Sequence, residues 1–175
     1  MALIVKGSTV KKLIVKGTTC KTGIAKGVTV FKAEKVISEG TSTNLWGTPT
    51  RTGSESTQYK LADGGLNPVM WNVWMDWRDS TWTFPNTIST SGYTKLCIEY
   101  KWKFTGYGEG SVRLLINGAE KANTGWGTTG NAYVNKTLTL DVSGMNSVKL
   151  GVLLGCHDSG GGANTSCVIT KSWLE

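Results

Sequence analysis

Residues 94–104 read TKLCIEYKWKF, and their regular alternation decides the fold class. Every second residue is apolar, and these residues are Leu96, Ile98, Tyr100, Trp102 and Phe104. Because successive side chains of a strand point to opposite faces, the pattern predicts an antiparallel strand with one buried and one solvated face. The solvated face carries three Lys and one Glu.

The same alternation continues towards the C-terminus. The further strand candidates are residues 111–116, 134–142, 148–154 and 167–174. The first of them ends in Asn117-Gly118, a dipeptide typical of tight hairpin turns. The glycine-rich segment 157–166 (HDSGGGANTS) is predicted to be a flexible loop. Many short strands without helical periodicity predict an all-β, jelly-roll-like β-sandwich over residues 67–175.

Residues 71–82 (WNVWMDWRDSTW) hold four of the eight tryptophans. A helix and a strand would both cluster apolar side chains here, and the density of Trp and Val together with Pro85 favours a strand. One face of this strand is predicted to join the core, and its residues are Trp71, Val73, Met75 and Trp77. The other face is predicted to be exposed, and its residues are Asn72, Trp74, Asp76 and Arg78.

The N-terminus contains an internal repeat of ten residues. Residues 3–12, 13–22 and 23–32 read LIVKGSTVKK, LIVKGTTCKT and GIAKGVTVFK. Each copy joins a β-prone run to a glycine-centred turn signal, which predicts strands of about six residues in a small β-meander. Such a meander buries little apolar surface alone, so we expect residues 1–35 to dock on a larger assembly. The candidate docking residues are Lys6, Lys16 and Lys26.

The repeat also carries the whole charge excess of the chain. The formal net charge is +7, and residues 1–35 hold eight Lys and one Glu, whereas the remainder is balanced. The lysines are accompanied by one aromatic residue, Phe31, so docking or protection of strand edges is favoured over nucleic-acid binding. Residues 36–66 are rich in Ser, Thr and Gly and are predicted to be a linker followed by loops or short edge strands.

The cysteine pattern gives no sign of a metal site. The four cysteines are Cys20, Cys97, Cys156 and Cys167. No two of them form a C-x-x-C pair, and His157 is the only histidine, so neither a metal nor a cofactor is predicted. Cys156 and Cys167 flank a loop and are able to form a disulfide, but buried and reduced thiols are the favoured interpretation.

The sequence shows neither a membrane span nor a secretory signal. No apolar run approaches the about 18 residues of a membrane-spanning helix, which predicts no membrane insertion. The N-terminal apolar run, residues 2–5, is too short for the core of a signal peptide. Action outside the cell would therefore need another route, such as lysis.

No catalytic motif is found in the sequence. His157 lies between Cys156 and Asp158, but neighbours on a strand point to opposite faces, which argues against a catalytic relay among them. The spacing of the carboxylates selects no acid–base pair, and the segment SGGGANT lacks the lysine of a phosphate-binding loop. The sequence therefore predicts a protein that is not an enzyme.

Eight tryptophans are about three times the usual share for this length. Trp46, Trp74 and Trp126 have polar or glycine-rich neighbours. Exposed aromatic rings stack on the apolar faces of sugar rings, while polar groups bind the hydroxyls; alternatively, such rings fold over the ends of the sandwich. The candidate sugar site comprises Trp46, Trp74, Asp76, Arg78, Trp126 and Asn131.

The N-terminal repeat resembles K-G-[ST]-x-V-K units in structural proteins of phages and prophages of Gram-positive bacteria. The matching residues are 6–11 (KGSTVK) and 16–21 (KGTTCK), and the third copy departs at Val28. The segments GYTKL, LDVSGMNSVKLGV and ITKSWLE are similar in style to the jelly-roll modules of tail appendages and carbohydrate-binding domains.

This resemblance implies a virion protein that assembles in the host cytoplasm and is released by lysis. Its partners would be other virion proteins and further copies of itself, with a trimer favoured. Its sandwich would bind a host surface glycan in a tail or baseplate appendage. Two alternatives stay open, namely a capsid decoration or head-fibre protein without a ligand and a bacterial carbohydrate-binding module.

Overall fold

The computed structural model describes residues 13–15, 18–20, 22–25, 28–40, 42–53, 58–62, 66–73 and 77–175. Of residues before Ala33, and of 58–62 and 71–73, it describes the backbone alone. Every regular element in this part of the chain is a β-strand, which confirms the predicted all-β class. The described residues contain no helix with the length and apolarity needed to cross a membrane.

The described part of the N-terminal repeat contains two hairpins. Strand β1 (Leu13–Val15) pairs with β2 (Thr18–Cys20), and β3 (Thr22–Ala25) pairs with β4 (Val28–Lys32). In the second and third copies the described strands thus pair as short hairpins, rather than each copy supplying one strand of about six residues. Lys6, Lys16 and Lys26 lie outside the described residues, and their docking role stays a prediction.

Ten further strands form one continuous antiparallel sheet. They are β5 (Lys35–Glu39), β6 (Thr43–Asn44), β7 (Thr50–Gly53), β8 (Gln58–Ala62), β9 (Asn67–Val73), β10 (Trp77–Ser89), β11 (Lys95–Ile116), β12 (Ala119–Asn123), β13 (Val134–Asp141) and β14 (Ser147–Leu174). Strands β11 and β14 have 22 and 28 residues and pair with each other along most of their length.

The two long strands belong to both layers of a sandwich. In the first sheet, the first half of β11 and the second half of β14 are flanked by β13 on one side and by β5 and β9 on the other. In the second sheet, the second half of β11 and the first half of β14 are flanked by β12 and by β10, which pairs with β7. Strands that bend from one layer into the next make the corners of such folds. The predicted jelly-roll-like β-sandwich is confirmed.

Glycines form the bend in β11. Gly106 and Gly108 have φ of 111° and 113°, a region that side chains other than hydrogen disfavour, and the register with β14 shifts between them. The bend brings Phe104 against Gly110, where an added Cβ would lie 2.7 Å from Phe104 Cδ2. The inward faces of the two halves of β11 therefore meet in one core.

The glycine-rich segment 157–166 is part of β14 and not the flexible loop that the sequence predicted. Both of its ends pair with β11, as in His157 opposite Glu109 and Asn164 opposite Thr105, while the register shifts over residues 159–162. Gly160 and Gly161 have φ of 131° and 127°. These glycines let β14 follow the bend of β11 while the chain on both sides stays paired.

One hydrophobic core fills the space between the sheets. The apolar face predicted for residues 94–104 is confirmed, since its five members are no more than 5% exposed. Other buried members alternate along the strands in the same way; they include Trp82, Phe84, Val112, Leu114, Ile116, Val148, Leu150, Val152 and Leu154.

Residues 35–53 lie inside the sandwich and do not form the linker expected for residues 36–66. Strand β5 pairs with the end of β14, and β7 pairs with β10. Ile37 is fully buried in the common core. The sandwich therefore begins at Lys35 rather than at Asn67. The same range was also predicted to hold loops or short edge strands, and β6 and β7 are strands of two and four residues. Their polar composition is typical of edge strands, which carry polar residues on their solvated face.

Cys97, Cys156 and Cys167 are buried free thiols, as favoured from the sequence. Cys156 and Cys167 are therefore not joined by a disulfide. Burial raises the pKa of the Cys156 thiol to about 11 and raises the pKa of Cys167 as well. These thiols are packing groups in the core.

Candidate functional site

An aromatic cluster lies on the outer face of the second sheet. Trp77 on β10 is directly opposite His157 on β14, and their stacked rings have centroids 3.8 Å apart and planes inclined by 13°. Trp126, which follows β12, meets Trp77 edge-on with centroids 4.8 Å apart and planes at 76°. We call Trp77, Trp126 and His157 the aromatic platform. Trp77 is 53% exposed and Trp126 37%, so both indoles are open to solvent.

The backbone on both sides of Trp126 is tied to β11. Gly110 and Gly127 exchange N–H to carbonyl hydrogen bonds of 2.9 and 3.0 Å. Thr124 N donates to Val112 O at 3.0 Å, and Thr124 Oγ1 accepts from Val112 N at 2.9 Å. The loop therefore holds Trp126 over the sheet before any ligand arrives, which lowers the entropic cost of binding.

Gly155 makes room for Trp126 on the sheet. An added Cβ at Gly155 would lie 2.7 Å from Trp126 Cη2, 2.5 Å from Ser111 Oγ and 3.0 Å from Asp79 Oδ1. Gly155 pairs with Asp79 on one side and with Ser111 on the other. The missing side chain leaves a space on the central strand that the indole of Trp126 occupies.

Two carboxylates flank the platform. Asp79 shares the outward face of β10 with Trp77, and Glu109 on β11 is opposite His157. Asp79 is exposed and Glu109 is half-buried. Ionised carboxylates accept hydrogen bonds from hydroxyl groups, and aromatic rings pack on apolar surfaces. The arrangement is therefore chemically suited to a sugar, which has hydroxyls at its rim and apolar C–H faces.

Trp46 was predicted to be an exposed sugar-binding ring, and this prediction is wrong. Its side chain is 0% exposed, and its Nε1 donates to Ser172 Oγ at 2.8 Å. Ser172 Oγ also shares a hydrogen bond of 2.7 Å with Ser38 Oγ. Ser172 accepts the hydrogen bond of the indole N–H, and the Ser172 hydroxyl is itself bonded to Ser38. Because these buried polar groups are satisfied, Trp46 is able to enter the core despite its polar sequence surroundings.

The outward face of β10 is the one that the sequence-based prediction assigned to the core. Trp77 is exposed, whereas Ser80, Trp82 and Phe84 are buried on the other face. Arg78, expected as a ligand contact, alternates with Trp77 and lies half-buried on the core-facing side of the strand. The core assignment of Trp77 is therefore wrong, and the predicted ligand role of Arg78 stays a prediction.

Residues 71–82 are divided between two strands, since β9 ends at Val73 and β10 begins at Trp77. On β10 the two faces are exchanged relative to the prediction, because alternation alone does not say which face is buried. The alternation of Trp82 and Phe84 with threonines was the signal that gives the correct faces. Trp74 and Asp76 lie outside the described residues, and their ligand roles stay predictions.

Asn131 lies in an exposed turn with φ of 63°. Asn adopts this left-handed conformation more readily than most residues, so the turn itself accounts for Asn131. Among the described residues, no contact joins Asn131 to the platform. Its predicted role in ligand binding stays a prediction.

His157 and its two sequence neighbours lie on opposite faces of β14. Its sequence neighbours Cys156 and Asp158 are buried on the core side, while His157 stacks on Trp77 at the outer face. In the part of the chain that the structure describes, no three His, Cys, Asp or Glu side chains are grouped so that they could hold a metal ion.

Comparisons with known proteins return matches among solved structures only. No family model matches the chain, and no curated protein matches it. A mutant of a family 29 carbohydrate-binding module is 11% identical and matches over 82% of this chain and 91% of its own, with a TM-score of 0.43. TmCBM61 in complex with β-1,4-galactotriose is 9% identical and matches over 73% of this chain and 87% of its own, with a TM-score of 0.45.

Proposed function

We propose that this chain is a structural protein of a phage virion, a tail or baseplate appendage whose β-sandwich binds host surface carbohydrate. The observation that carries the sugar-binding role is the pair of exposed tryptophans, Trp77 and Trp126, held edge to face on a rigid sheet. A sugar ring would pack on an indole and donate hydroxyl hydrogen bonds to Asp79 and Glu109.

The exposure of Trp77 is costly for a residue with no ligand. Full burial of a large apolar side chain is worth about 1.5–3 kcal/mol, yet Trp77 keeps about half of its surface in water. The ring is nevertheless held by stacking on His157 and by the edge of Trp126. A ring that is both ordered and exposed gains contact area on binding while losing little conformational freedom.

The virion role is supported by the N-terminal repeats, through their resemblance to phage structural proteins. An arm of lysine-bearing hairpins suits docking on a particle. Display of many copies on one particle would compensate for weak binding at each sugar site.

The platform is tested by glycan-array binding of the full chain, followed by titration of the best glycan. We expect Trp77→Ala and Trp126→Ala each to weaken binding about tenfold, since a lost aromatic contact is worth about 1.5 kcal/mol. Trp173→Ala is the matched control, because Trp173 is a half-buried tryptophan on the first sheet beside Lys171. Unchanged binding in both platform variants would contradict the site.

The virion role is tested by mass spectrometry of particles purified from a lysed producing culture. We expect the chain in the particles in many copies and, in solution, a trimer by light scattering. A sugar-binding monomer absent from particles would favour a bacterial carbohydrate-binding module. A particle protein that binds no glycan would favour a capsid decoration or head fibre.

A further inference from the structure

A cleft that is distinct from the aromatic platform lies on the outer face of the first sheet. Its lining residues are Val69, Lys103, Thr105, Tyr133, Asn164 and Ser166, and its volume is about 310 Å³. Sites for small molecules measure about 300–1,000 Å³, so the cleft has the size for a small ligand. Its floor is formed by neighbouring strands, with Lys103 opposite Ser166, and Ser166 opposite Val69.

Two lysines converge on one aromatic ring at this cleft. The Nζ atoms of Lys101 and Lys103 lie 4.7 and 4.9 Å from the centroid of Tyr133. The two lysines share one face of β11, and like charges held this close repel each other. The negative face of the ring offsets part of this repulsion. The ion pairs found among the described residues all involve other basic groups.

The remaining wall offers neutral polar groups. Asn164 Nδ2 donates to Thr105 Oγ1 at 3.0 Å, and Ser166 Oγ donates to Lys103 O at 3.5 Å. None of the lining residues that the structure describes is acidic. Tyr133 is 42% exposed, so its ring is accessible from the cleft side. The cleft therefore combines positive charge, an aromatic surface and hydroxyl and amide groups.

We propose that this cleft binds a saccharide unit that carries a carboxylate, such as a uronic acid. The Lys101 and Lys103 ammonium groups would hold the carboxylate through charge-assisted hydrogen bonds, which also relieves their mutual repulsion. The Tyr133 ring would pack on the apolar face of the sugar. Asn164 and Ser166 lie where they contact its hydroxyls. The cleft shares no residue with the aromatic platform and adds a second, acid-selective site.

One connection supplies an aromatic ring to each site. The segment between β12 and β13 carries Trp126 to the platform and Tyr133 to the cleft. Between them, Thr129 Oγ1 accepts from Phe104 N and donates to Phe104 O, both at 3.1 Å. This anchor sits beside the bend of β11, so the connection passes from one sheet to the other while attached to it.

The test is calorimetric titration of the full chain with tetragalacturonate and with the same oligomer after methyl esterification, which removes the negative charge, adds a methyl group to each carboxyl and leaves the sugar rings unchanged. We expect the acidic oligomer to bind at least about tenfold more tightly than the ester. Raising the salt concentration should weaken only the acidic oligomer, because salt screens the exposed charges.

Variants assign the binding to the cleft. Lys103→Gln is expected to weaken binding of the acidic oligomer about tenfold, the size of one lost hydrogen bond to a charged group. Tyr133→Ala is expected to weaken it about tenfold as well, because it removes the aromatic surface on which the sugar packs. Lys136→Gln is the matched control, because it removes the same charge from the neighbouring strand β13 at a position opposite Tyr100. Lys136→Gln should bind the acidic oligomer like the original chain.

Several outcomes overturn the proposal. Equal affinity for the acid and its ester removes the role of the carboxylate, and absence of saturable acid binding removes the ligand class. One contrary result is that Lys136→Gln loses as much affinity for the acidic oligomer as Lys103→Gln does, and another is that a single-stranded DNA oligonucleotide binds equally tightly. Either result would show a general attraction of polyanions. A loss in Trp77→Ala would assign the acidic sugar to the platform instead. None of these results decides whether the platform binds a neutral glycan.

Discussion

Gly155 is the residue on which the geometry of the aromatic platform depends most directly. Trp126, Ser111 and Asp79 all approach the space where its side chain would lie. The adjacent glycine on the same outward face, Gly151, has a looser environment, with Leu115 Cβ at 3.3 Å from an added Cβ. The sequence shows glycine at both positions, but only the packed sheet shows which of them supports a ring.

We expect Gly155→Ala to lower the free energy of unfolding by about 1–3 kcal/mol, since an extra methyl group in a filled space strains its neighbours. The ring of Trp126 must move, so the tryptophan fluorescence spectrum should change. Urea unfolding and emission spectra measure the two effects. Gly144→Ala is the control, because an added Cβ there has no neighbour within 4 Å. Equal stability of both variants and unchanged emission would contradict this role of Gly155.

At the scale of elements, the bend shared by β11 and β14 decides how the molecule is built. The first half of β11 was predictable from alternation alone, because one face of it is buried and the other wet. The continuation of β14 through residues 157–166 was not predictable from the sequence, since a glycine run is typical of a loop. It is a strand because β11 pairs with it on one side, and that partner is distant in sequence.

We expect Gly106→Ala to destabilise the fold by about 3 kcal/mol or more. Its φ of 111° is strained for any other residue, which costs about 1–3 kcal/mol, and an added Cβ would collide with the Gly162 carbonyl oxygen. Gly125→Ala separates the two effects, because Gly125 has a φ of 71° but no neighbour within 4 Å of an added Cβ. Its expected cost is about 1–2 kcal/mol. Equal losses in thermal or urea unfolding would show that the collision does not matter.

At the scale of the whole molecule, one core joins both sheets, and the ionisation of its buried thiols depends on whether the chain is folded. Cys156 and Cys167 are fully buried between the layers. Burial disfavours the thiolate and raises both pKa values above the ordinary 9.0. In the unfolded chain the same thiols ionise near their ordinary pKa.

We therefore expect stability to fall as the pH rises above about 9. Below that pH both states keep the thiols protonated, so their contribution is fully present. Between pH 9 and the folded pKa of Cys156, about 11, the unfolded state alone releases protons and is favoured. Unfolding free energies from pH 7 to 10.5 measure the loss. The free energy of unfolding of Cys156→Ala should fall less over that range than that of the original chain. An equal or larger fall would rule out this thiol as a cause.

The sequence by itself determined the β class, the wet and buried faces of residues 94–104, the buried thiols and the confinement of excess charge to the N-terminal repeat. These properties follow from local alternation and composition. The tertiary structure alone decided that Trp77 is exposed and Trp46 buried, and it brought Trp77, Glu109, Trp126 and His157 onto one surface. The reason is that strand register and the bend between sheets are set by pairing between distant segments, and a shift of one residue exchanges the two faces of a strand.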